Sequence, residues 1–362
     1  MAAERPGYRD APGWRVFTAV VRGAAHELAG RPLQDAAGWT AGPPGDTGWL
    51  ALAVADGHGG HPHFRSARGS ELAIEAALEL AAAFGPLFAT APAAAPVYLT
   101  ARENLVPGLI GRWQEAVADD LAETPLTGDE QQMLAADEPI IAYGSTLLLA
   151  VLAAPWLVLC QIGDGDMVLV SADGVASVPV PHDPRLDGHS TTSLCQFDAA
   201  DAFRIAVLNL PDSPVAALLL ATDGFGNAQA ADPWYQSVGG DLARLAAERG
   251  AGWVGAQLPV WAARCASAEG SGDDTALALL LPETPGEPDW LVTPASSLED
   301  EETETLAGPG LAGGDSARPG AARPALIAGQ VDDRHGERRP DGLTGGQQAD
   351  RHGAARHQPG GP

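Results

Sequence analysis

The apolar residues of the chain occur in two patterns, short continuous runs and longer stretches with helical spacing. Short runs bounded by Gly, Pro, Asp or Ser predict buried β-strands, at residues 14–22, 48–55, 144–152, 156–163, 166–174, 204–210, 215–224 and 275–281. Apolar residues three and four positions apart predict helices over 69–84, 102–122, 240–249 and 253–267. Ser70 is a candidate N-cap of the first helix, and the Ala- and Pro-rich residues 85–97 predict a loop.

The order of these elements points to a fold class. Strands, two helices, strands, two helices and a strand do not form a regular βαβ alternation, so we expect antiparallel sheets covered by helices. The runs 144–152 and 156–163 predict a hairpin that continues into the strand at 166–174. The most apolar run, 147–162, is short for a membrane span and contains Pro155, so we expect no membrane segment.

The character of the chain changes near residue 284. Residues 8–284 contain all of the predicted elements and are expected to form one folded domain. Residues 285–362 are rich in Pro and Gly, include the acidic run 299–304, and have no periodic apolar pattern. This composition predicts a disordered tail, with metal binding by its scattered histidines as an alternative role.

Charge and cysteine content exclude several classes of protein. There are 47 acidic residues against 21 basic ones, all arginine, and the formal net charge is -26 at pH 7. Such a chain is poorly suited to a nucleic-acid partner, because it lacks the cations needed to neutralise phosphates. The three cysteines have apolar neighbours, which predicts buried, reduced thiols. The first residues have no apolar stretch of signal-peptide length, and we expect a cytoplasmic protein without a membrane partner.

Several aspartates follow predicted strands at glycine-containing turns. They are Asp56 in VADGHGG, Asp164 in QIGDGD, Asp223 in LATDGFGN and Asp273 in GSGDDTALAL, and Asp35 lies between the first two strands. Each alone is compatible with an ordinary Asp-Gly turn. Strand ends of one sandwich lie close together, however, and grouped carboxylates repel one another unless cations bind among them. Hard oxygen ligands of this kind suit Mg²⁺ or Mn²⁺.

A group of histidines accompanies the first of these aspartates. His58 lies two residues after Asp56, where an imidazole could donate a proton beside a metal site. It could instead be a structural cap, or form a zinc site with His61 and His63. Zinc is disfavoured because no cysteine lies nearby and the aspartates would remain unexplained.

Six motifs in order resemble those of a known family. DGHGG, GST, GDGD, TDGF and GDDTA resemble the motifs of the metal-dependent protein phosphatases of type 2C, and GAAHELAGRPLQDA resembles the opening motif of their bacterial branch. The resemblance covers about residues 14–283. It implies an α+β fold, a four-layer αββα sandwich of two antiparallel sheets flanked by helices. It also implies a serine/threonine phosphatase whose metal-bridging hydroxide attacks phosphorus directly.

The resemblance assigns most of the metal ligands. Asp56 would bridge two Mn²⁺ or Mg²⁺ ions, and the Gly57 carbonyl would bind one of them. Asp223 and Asp273 would hold the other ion, and Asp35 would act through waters. Substrates would be phosphoproteins, with a serine/threonine kinase acting in opposition.

A weaker third metal position is also implied, with Asp164 among its ligands. The chain departs from the family pattern nearby, because Asn227 stands where an acid often follows the TDG motif. Gln34 similarly replaces an acid before Asp35 and would be a poorer ligand.

The remaining implied roles concern substrate and proton transfer. His58 would be the general acid for the leaving alkoxide, in a catalytic pair with Asp56. His26 replaces the phosphate-clamping arginine of many members, and Arg31 is a second candidate for phosphate binding. A regulatory pseudo-phosphatase that binds phosphoproteins without turnover and a hydrolase of small phosphates remain alternative functions.

Overall fold

The structure is a computed structural model, described here over residues 10–11, 13–43, 48–134, 138–186, 191–230 and 233–283. The predicted tail, 285–362, lies outside the described residues, as do residues 8 and 9, so the predicted domain limits stay predictions. The strands are β1 Asp10–Ala11, β2 Trp14–Val21, β3 Asp35–Ala41, β4 Trp49–Asp56, β5 Leu147–Ala153, β6 Trp156–Ile162, β7 Asp166–Ser171, β8 Ala176–Ser177, β9 Arg204–Asn209, β10 Val215–Ala221 and β11 Thr275–Pro282. The helices are α1 Ala24–Ala29, α2 Ser66–Ala89, α3 Ala94–Thr100, α4 Val106–Glu123, α5 Gly128–Leu134, α6 Ala199–Ala202, α7 Asp223–Gly226, α8 Trp234–Arg249 and α9 Ala251–Ala266, with a π-helical turn at Ala101–Leu105 and a 3₁₀ turn at Pro139–Tyr143.

Two antiparallel sheets form the centre of the fold. The first has the strand order β1-β2-β11-β10-β7-β8 and the second β3-β4-β5-β6-β9. Helices α2 and α3 pack on the outer face of the second sheet, with α4 packed against α2, and helices α8 and α9 pack on the outer face of the first sheet. This arrangement confirms the expected α+β, four-layer sandwich.

Alternation along the strands builds three apolar layers. In β4, Leu50, Leu52 and Val54 face the opposite sheet, whereas the intervening alanines pack beneath α2. Successive strand residues point to opposite faces, and in β5 and β6 every residue is buried on one side or the other. Small residues on the helix side let α2 lie close to the sheet.

Two local predictions for the helical region are wrong. The predicted loop at 85–97 contains the end of α2 and the start of α3, because Gly85 packs on the Trp49 ring and Phe88 is buried, which carries the helix past Pro86. Ser70 is not an N-cap, since α2 begins at Ser66. The Ser70 hydroxyl donates instead to the Gln34 carbonyl at 2.5 Å.

One strand is assigned differently from the sequence expectation. β5 and β6 form the predicted hairpin around Pro155. β7 does not extend that hairpin, however, since it crosses to the other sheet and pairs with β10. The crossing occupies residues 163–165, and it places Asp164 between the two sheets' strand ends.

One described helix, α2, is long and apolar enough to cross a membrane by length and composition, whereas the sequence analysis expected no such segment. Of the most apolar 18-residue stretch of α2, 44% is buried inside the protein, where the helix packs on β3, β4 and β5. The cysteines are all unpaired, with Cys160 and Cys265 buried and Cys195 partly exposed.

Candidate active site

An open pocket of about 650 Å³ lies where strands of both sheets end. Asp56 ends β4, Asp164 lies between β6 and β7, Asp223 begins α7 directly after β10, and Asp273 precedes β11. The predicted site residues that line the pocket are His26, Arg31, Asp56, Gly57, His58, Asp164, Asp223 and Asp273. The structure therefore brings together residues that are far apart in the sequence, as the grouping of strand ends predicts.

Asp35 is buried behind the pocket rather than in its lining. The register of β3 and β4 sets Asp35 opposite Asp56. The Thr222 hydroxyl, at the end of β10 in the other sheet, donates to Asp35 Oδ2 at 2.7 Å. Asp35 thus links the two sheets directly beneath the lining carboxylates.

The grouped carboxylates destabilise one another's charged forms. Burial and then the charges of Asp35 and Asp223 raise the pKa of Asp56 well above its usual value. Burial and the charges of Asp164 and Asp273 raise the pKa of Asp223 to about 6, although a side-chain hydrogen bond with Asp56 opposes this. Burial also raises the pKa of Asp35. Cations that replace these protons would relieve the repulsion.

The donor set suits hard divalent cations, although it is not a preformed metal cage. Within the described ranges, no three His, Cys, Asp or Glu side chains are grouped around one metal position. The carboxylate and carbonyl oxygens are nevertheless the kind of ligand that Mg²⁺ or Mn²⁺ prefers, and waters would complete the shell of a bound cation. The zinc alternative gains no support, because His61 is exposed and does not line the pocket.

Gly57 has no room for a side chain. A Cβ there would come 2.5 Å from the Ser66 carbonyl oxygen and 2.7 Å from that of Gln34. The Gly57 amide donates to the Gln34 carbonyl at 3.1 Å, and its own carbonyl accepts no hydrogen bond from another described residue. That carbonyl oxygen is available as a ligand at the pocket wall.

The Gln34 side chain supports the loop that carries His58. Its Nε2 donates to the Ser66 hydroxyl at 2.5 Å and to the His58 carbonyl at 3.2 Å. Gln34 stands where the family pattern has an acid, but it does not line the pocket. Its amide therefore does not act as a weak metal ligand in the site.

The two predicted phosphate-binding residues differ in their surroundings. His26 Nε2 lies 3.3 Å from Asp273 Oδ1, and its Nδ1 lies 2.9 Å from Asp274 Oδ2. Arg31 is exposed, pairs with no described carboxylate, and points its guanidinium over Gly59. Arg31 is therefore the freer cation for an incoming phosphate.

Asp274 is a structural residue that the sequence analysis missed. It is buried and accepts hydrogen bonds from the Gly23 amide at 2.7 Å and the Gln34 amide at 2.6 Å. These bonds tie the start of α1 and the residue before β3 to the loop before β11. The only sequence signal was the doubled acid in GDDTA.

His58 sits beside a second histidine. Burial, and after it the electrostatic effect of the neighbouring His63 imidazole, lower the pKa of His58 to about 4. The His58 amide donates to the Gly144 carbonyl at 3.1 Å, which fixes its backbone against the start of the GST motif. In the free protein at neutral pH the His58 imidazole is therefore uncharged.

A further acid lies next to the predicted third position. Asp166 begins β7, and burial together with Asp223 and Asp164 raises its pKa to about 7. Asp164 accepts from the Thr191 hydroxyl at 2.8 Å. Asn227, the residue found where an acid is common, donates to Asp223 Oδ2 at 3.1 Å and so orients that carboxylate. The second acid of GDGD was the available signal for Asp166.

A family model for protein phosphatase 2C matches residues 22–261. Among solved structures, the chain is similar to the Mycobacterium tuberculosis serine/threonine phosphatase PstP/Ppp at 17% identity, with 75% of this chain and 100% of that one covered and a TM-score of 0.48. The chain is also similar to the S. agalactiae serine/threonine phosphatase at 16% identity, with 75% of this chain and 100% of that one covered and a TM-score of 0.48. These structural likenesses are too distant to carry a functional argument. No curated protein matches the chain significantly.

Proposed function

Because the chain belongs to the protein phosphatase 2C family and is a serine/threonine phosphatase, we propose that it hydrolyses phosphoserine and phosphothreonine using two Mn²⁺ or Mg²⁺ ions in the acidic pocket. The observation that carries this proposal is the convergence of Asp56, Asp164, Asp223 and Asp273 from both sheets on one pocket. His58 and Arg31 line the same pocket, so a proton donor and a phosphate-binding cation accompany the carboxylates.

In this proposal Asp56, the Gly57 carbonyl, Asp223 and Asp273 would hold the two cations. Asp35, buried behind Asp56, would act through waters. When bound, the cations would supply an acidified water to attack phosphorus and positive charge for the phosphoryl oxygens. Asp164, with Asp166 close by, would contribute to a weaker third position.

His58 would protonate the leaving alkoxide. Its low pKa in the free protein means that the proton must be acquired when a negatively charged phosphate monoester enters and favours the imidazolium form. Arg31 would hold a phosphoryl oxygen, since its guanidinium lies over the glycine-rich loop next to His58.

Turnover is favoured over a binding-only role. A pseudo-phosphatase has no need of the carboxylates, yet Asp56, Asp223 and Asp273 all face the pocket together with His58. A serine/threonine kinase that phosphorylates the same substrates is part of this proposal.

The test uses a phosphothreonine peptide and p-nitrophenyl phosphate, each with Mn²⁺ or with excess EDTA. We expect activity only with the cation, and a loss of several orders of magnitude in Asp56→Asn. His58→Ala should lose ~10²–10⁴-fold on the peptide and far less on p-nitrophenyl phosphate, whose leaving group departs without a proton. Asp119→Asn, on the exposed face of α4, is the matched control. Full activity in EDTA, or equal losses of His58→Ala on both substrates, would contradict the proposal.

A further inference from the structure

We propose that His63 is a positioning residue that holds the His58 imidazole in the orientation needed for proton donation. This inference rests on the proposed role of His58. The two rings meet edge to face, with centroids 4.9 Å apart and planes inclined by 67°. His63 also lines the active-site pocket, whereas the neighbouring His61 does not.

The His63 ring is itself fixed by a backbone hydrogen bond. Its Nδ1 lies 2.5 Å from the Ile141 carbonyl oxygen. A carbonyl can only accept, so Nδ1 carries the hydrogen of this bond. The bond therefore fixes the orientation of the His63 ring where it meets His58.

Both rings are backed by the same glycine. A Cβ at Gly144 would come 2.5 Å from His63 Nδ1 and 2.7 Å from His58 Cδ2. The Gly144 carbonyl also accepts the His58 amide hydrogen bond at 3.1 Å. The backbone at Gly144 is one wall of a slot that holds the two imidazoles.

Hydrogen bonds and an ion pair hold in place the 3₁₀ turn that precedes Gly144. Ile141 belongs to the 3₁₀ turn Pro139–Tyr143, and the Arg65 amide donates to the Ala142 carbonyl at 2.9 Å. The buried Tyr143 donates its hydroxyl hydrogen to Asp120 on α4 at 2.6 Å and accepts from Arg65 Nη1 at 2.8 Å. Arg65 in turn pairs with Glu130 at 3.0 Å. The turn that fixes His63 is thus tied to α4 and α5.

Without the His63 ring, the His58 imidazole would lose its lateral contact and could rotate. Proton donation would suffer, because it requires the imidazole within hydrogen-bond reach of the leaving oxygen. Metal binding and attack on phosphorus should be largely unaffected, since the hydrogen bond and the ring contact of the His63 imidazole go to Ile141 and His58 rather than to a proposed ligand. The expected signature is therefore a loss that depends on the leaving group.

Three variants separate the ring contact from the hydrogen bond. His63→Ala removes both, His63→Asn keeps a donor for Ile141 without the ring, and His63→Phe keeps a ring without the donor. We expect His63→Ala and His63→Asn to lose about tenfold in kcat on the phosphothreonine peptide, part of the contribution of the general acid, and under about twofold on p-nitrophenyl phosphate. His63→Phe should recover part of the peptide activity. His61→Ala, an exposed neighbour, should match the wild type on both substrates.

A double variant decides whether His63 acts through His58. His58→Ala/His63→Ala should be no slower on the peptide than His58→Ala alone. In the metal-free protein, ring NMR signals of His58 should change position or broaden in His63→Asn but not in His61→Ala. Equal losses on both substrates, a full additional loss in the double variant, or unchanged His58 signals would overturn the inference. If His58→Ala shows the substrate difference and His63→Asn does not, this inference fails and the proposed function stands.

Discussion

Replacing Asp223 by asparagine should stabilise the metal-free protein at neutral pH, even though it removes a proposed ligand. Burial and the charges of Asp164 and Asp273 raise the pKa of Asp223 from 3.8 to about 6. Asparagine has nearly the same shape and keeps an oxygen for the hydrogen bond from Asn227. It cannot ionise, so the cost of charging this buried site disappears.

The sign and size follow from the two pKa values. A pKa raised in the folded state contributes stability that is fully present below pH 3.8 and is lost as the pH rises through about 6. Each unit of pKa difference corresponds to about 1.36 kcal/mol, so the loss approaches about 3 kcal/mol at pH 8 and is under about 1 kcal/mol at pH 4. The free energy of unfolding of Asp223→Asn should therefore exceed that of the wild type by under about 1 kcal/mol at pH 4 and by about 3 kcal/mol at pH 8.

Urea unfolding followed by tryptophan fluorescence, in EDTA at pH 4, 6 and 8, measures this difference. Addition of Mn²⁺ at a hundredfold excess over its Kd should stabilise the wild type by about 2.7 kcal/mol and the variant by much less, which reverses their order. The exposed Asp119→Asn should track the wild type throughout. A variant whose stability follows the same pH profile as the wild type, or an equal gain from Mn²⁺ in both, would refute the account of a cation-relieved carboxylate cluster.

Three further outcomes are expected. Arg31→Ala should raise KM for the phosphothreonine peptide more than it lowers kcat, because the exposed guanidinium at the pocket binds ground state and transition state alike; steady-state kinetics checks this. Gly69→Ala should cost about 3 kcal/mol in the free energy of unfolding, since its Cβ would meet the Tyr143 carbonyl oxygen at 1.9 Å; urea unfolding measures it, and no change would show that α2 can shift freely. A chain ending at residue 284 should keep its kcat and Tm, because the residues beyond it have no periodic apolar pattern to bury.

Much of the sandwich could be predicted because its strands are strongly apolar. The hairpin of β5 and β6 and the closing strand β11 were evident from continuous runs of Leu, Val and Ala. β3 was missed, since DAAGWTA has few β-branched residues and becomes a strand through pairing along β4. The sequence also did not predict which of the two sheets contains β7, because a local apolar pattern identifies a strand but not its partner strand.

The candidate site likewise contains residues that the sequence motifs identify and residues that only the tertiary structure identifies. Motif order identified the lining carboxylates, and the structure brings four of them to one pocket. Sequence analysis considered His63 only as a zinc ligand and not as a positioning residue, because the proposed role depends on contacts with Ile141 and Gly144, residues far along the chain. The tertiary setting, rather than the residue type, distinguishes His63 from the exposed His61.

The hydrogen bond between Thr222 and Asp35 spans 187 positions of the chain and joins the two sheets at the pocket. Because the proposed ligands are distributed over both sheets, neither sheet alone can offer a complete cation site. Cation binding should therefore come after the sheets have docked, late on the folding pathway. In kinetic experiments Mn²⁺ should slow the unfolding limb of the chevron while leaving the refolding rate almost unchanged. The cation would stabilise the folded sandwich after its two sheets have docked and would not contribute to the folding nucleus.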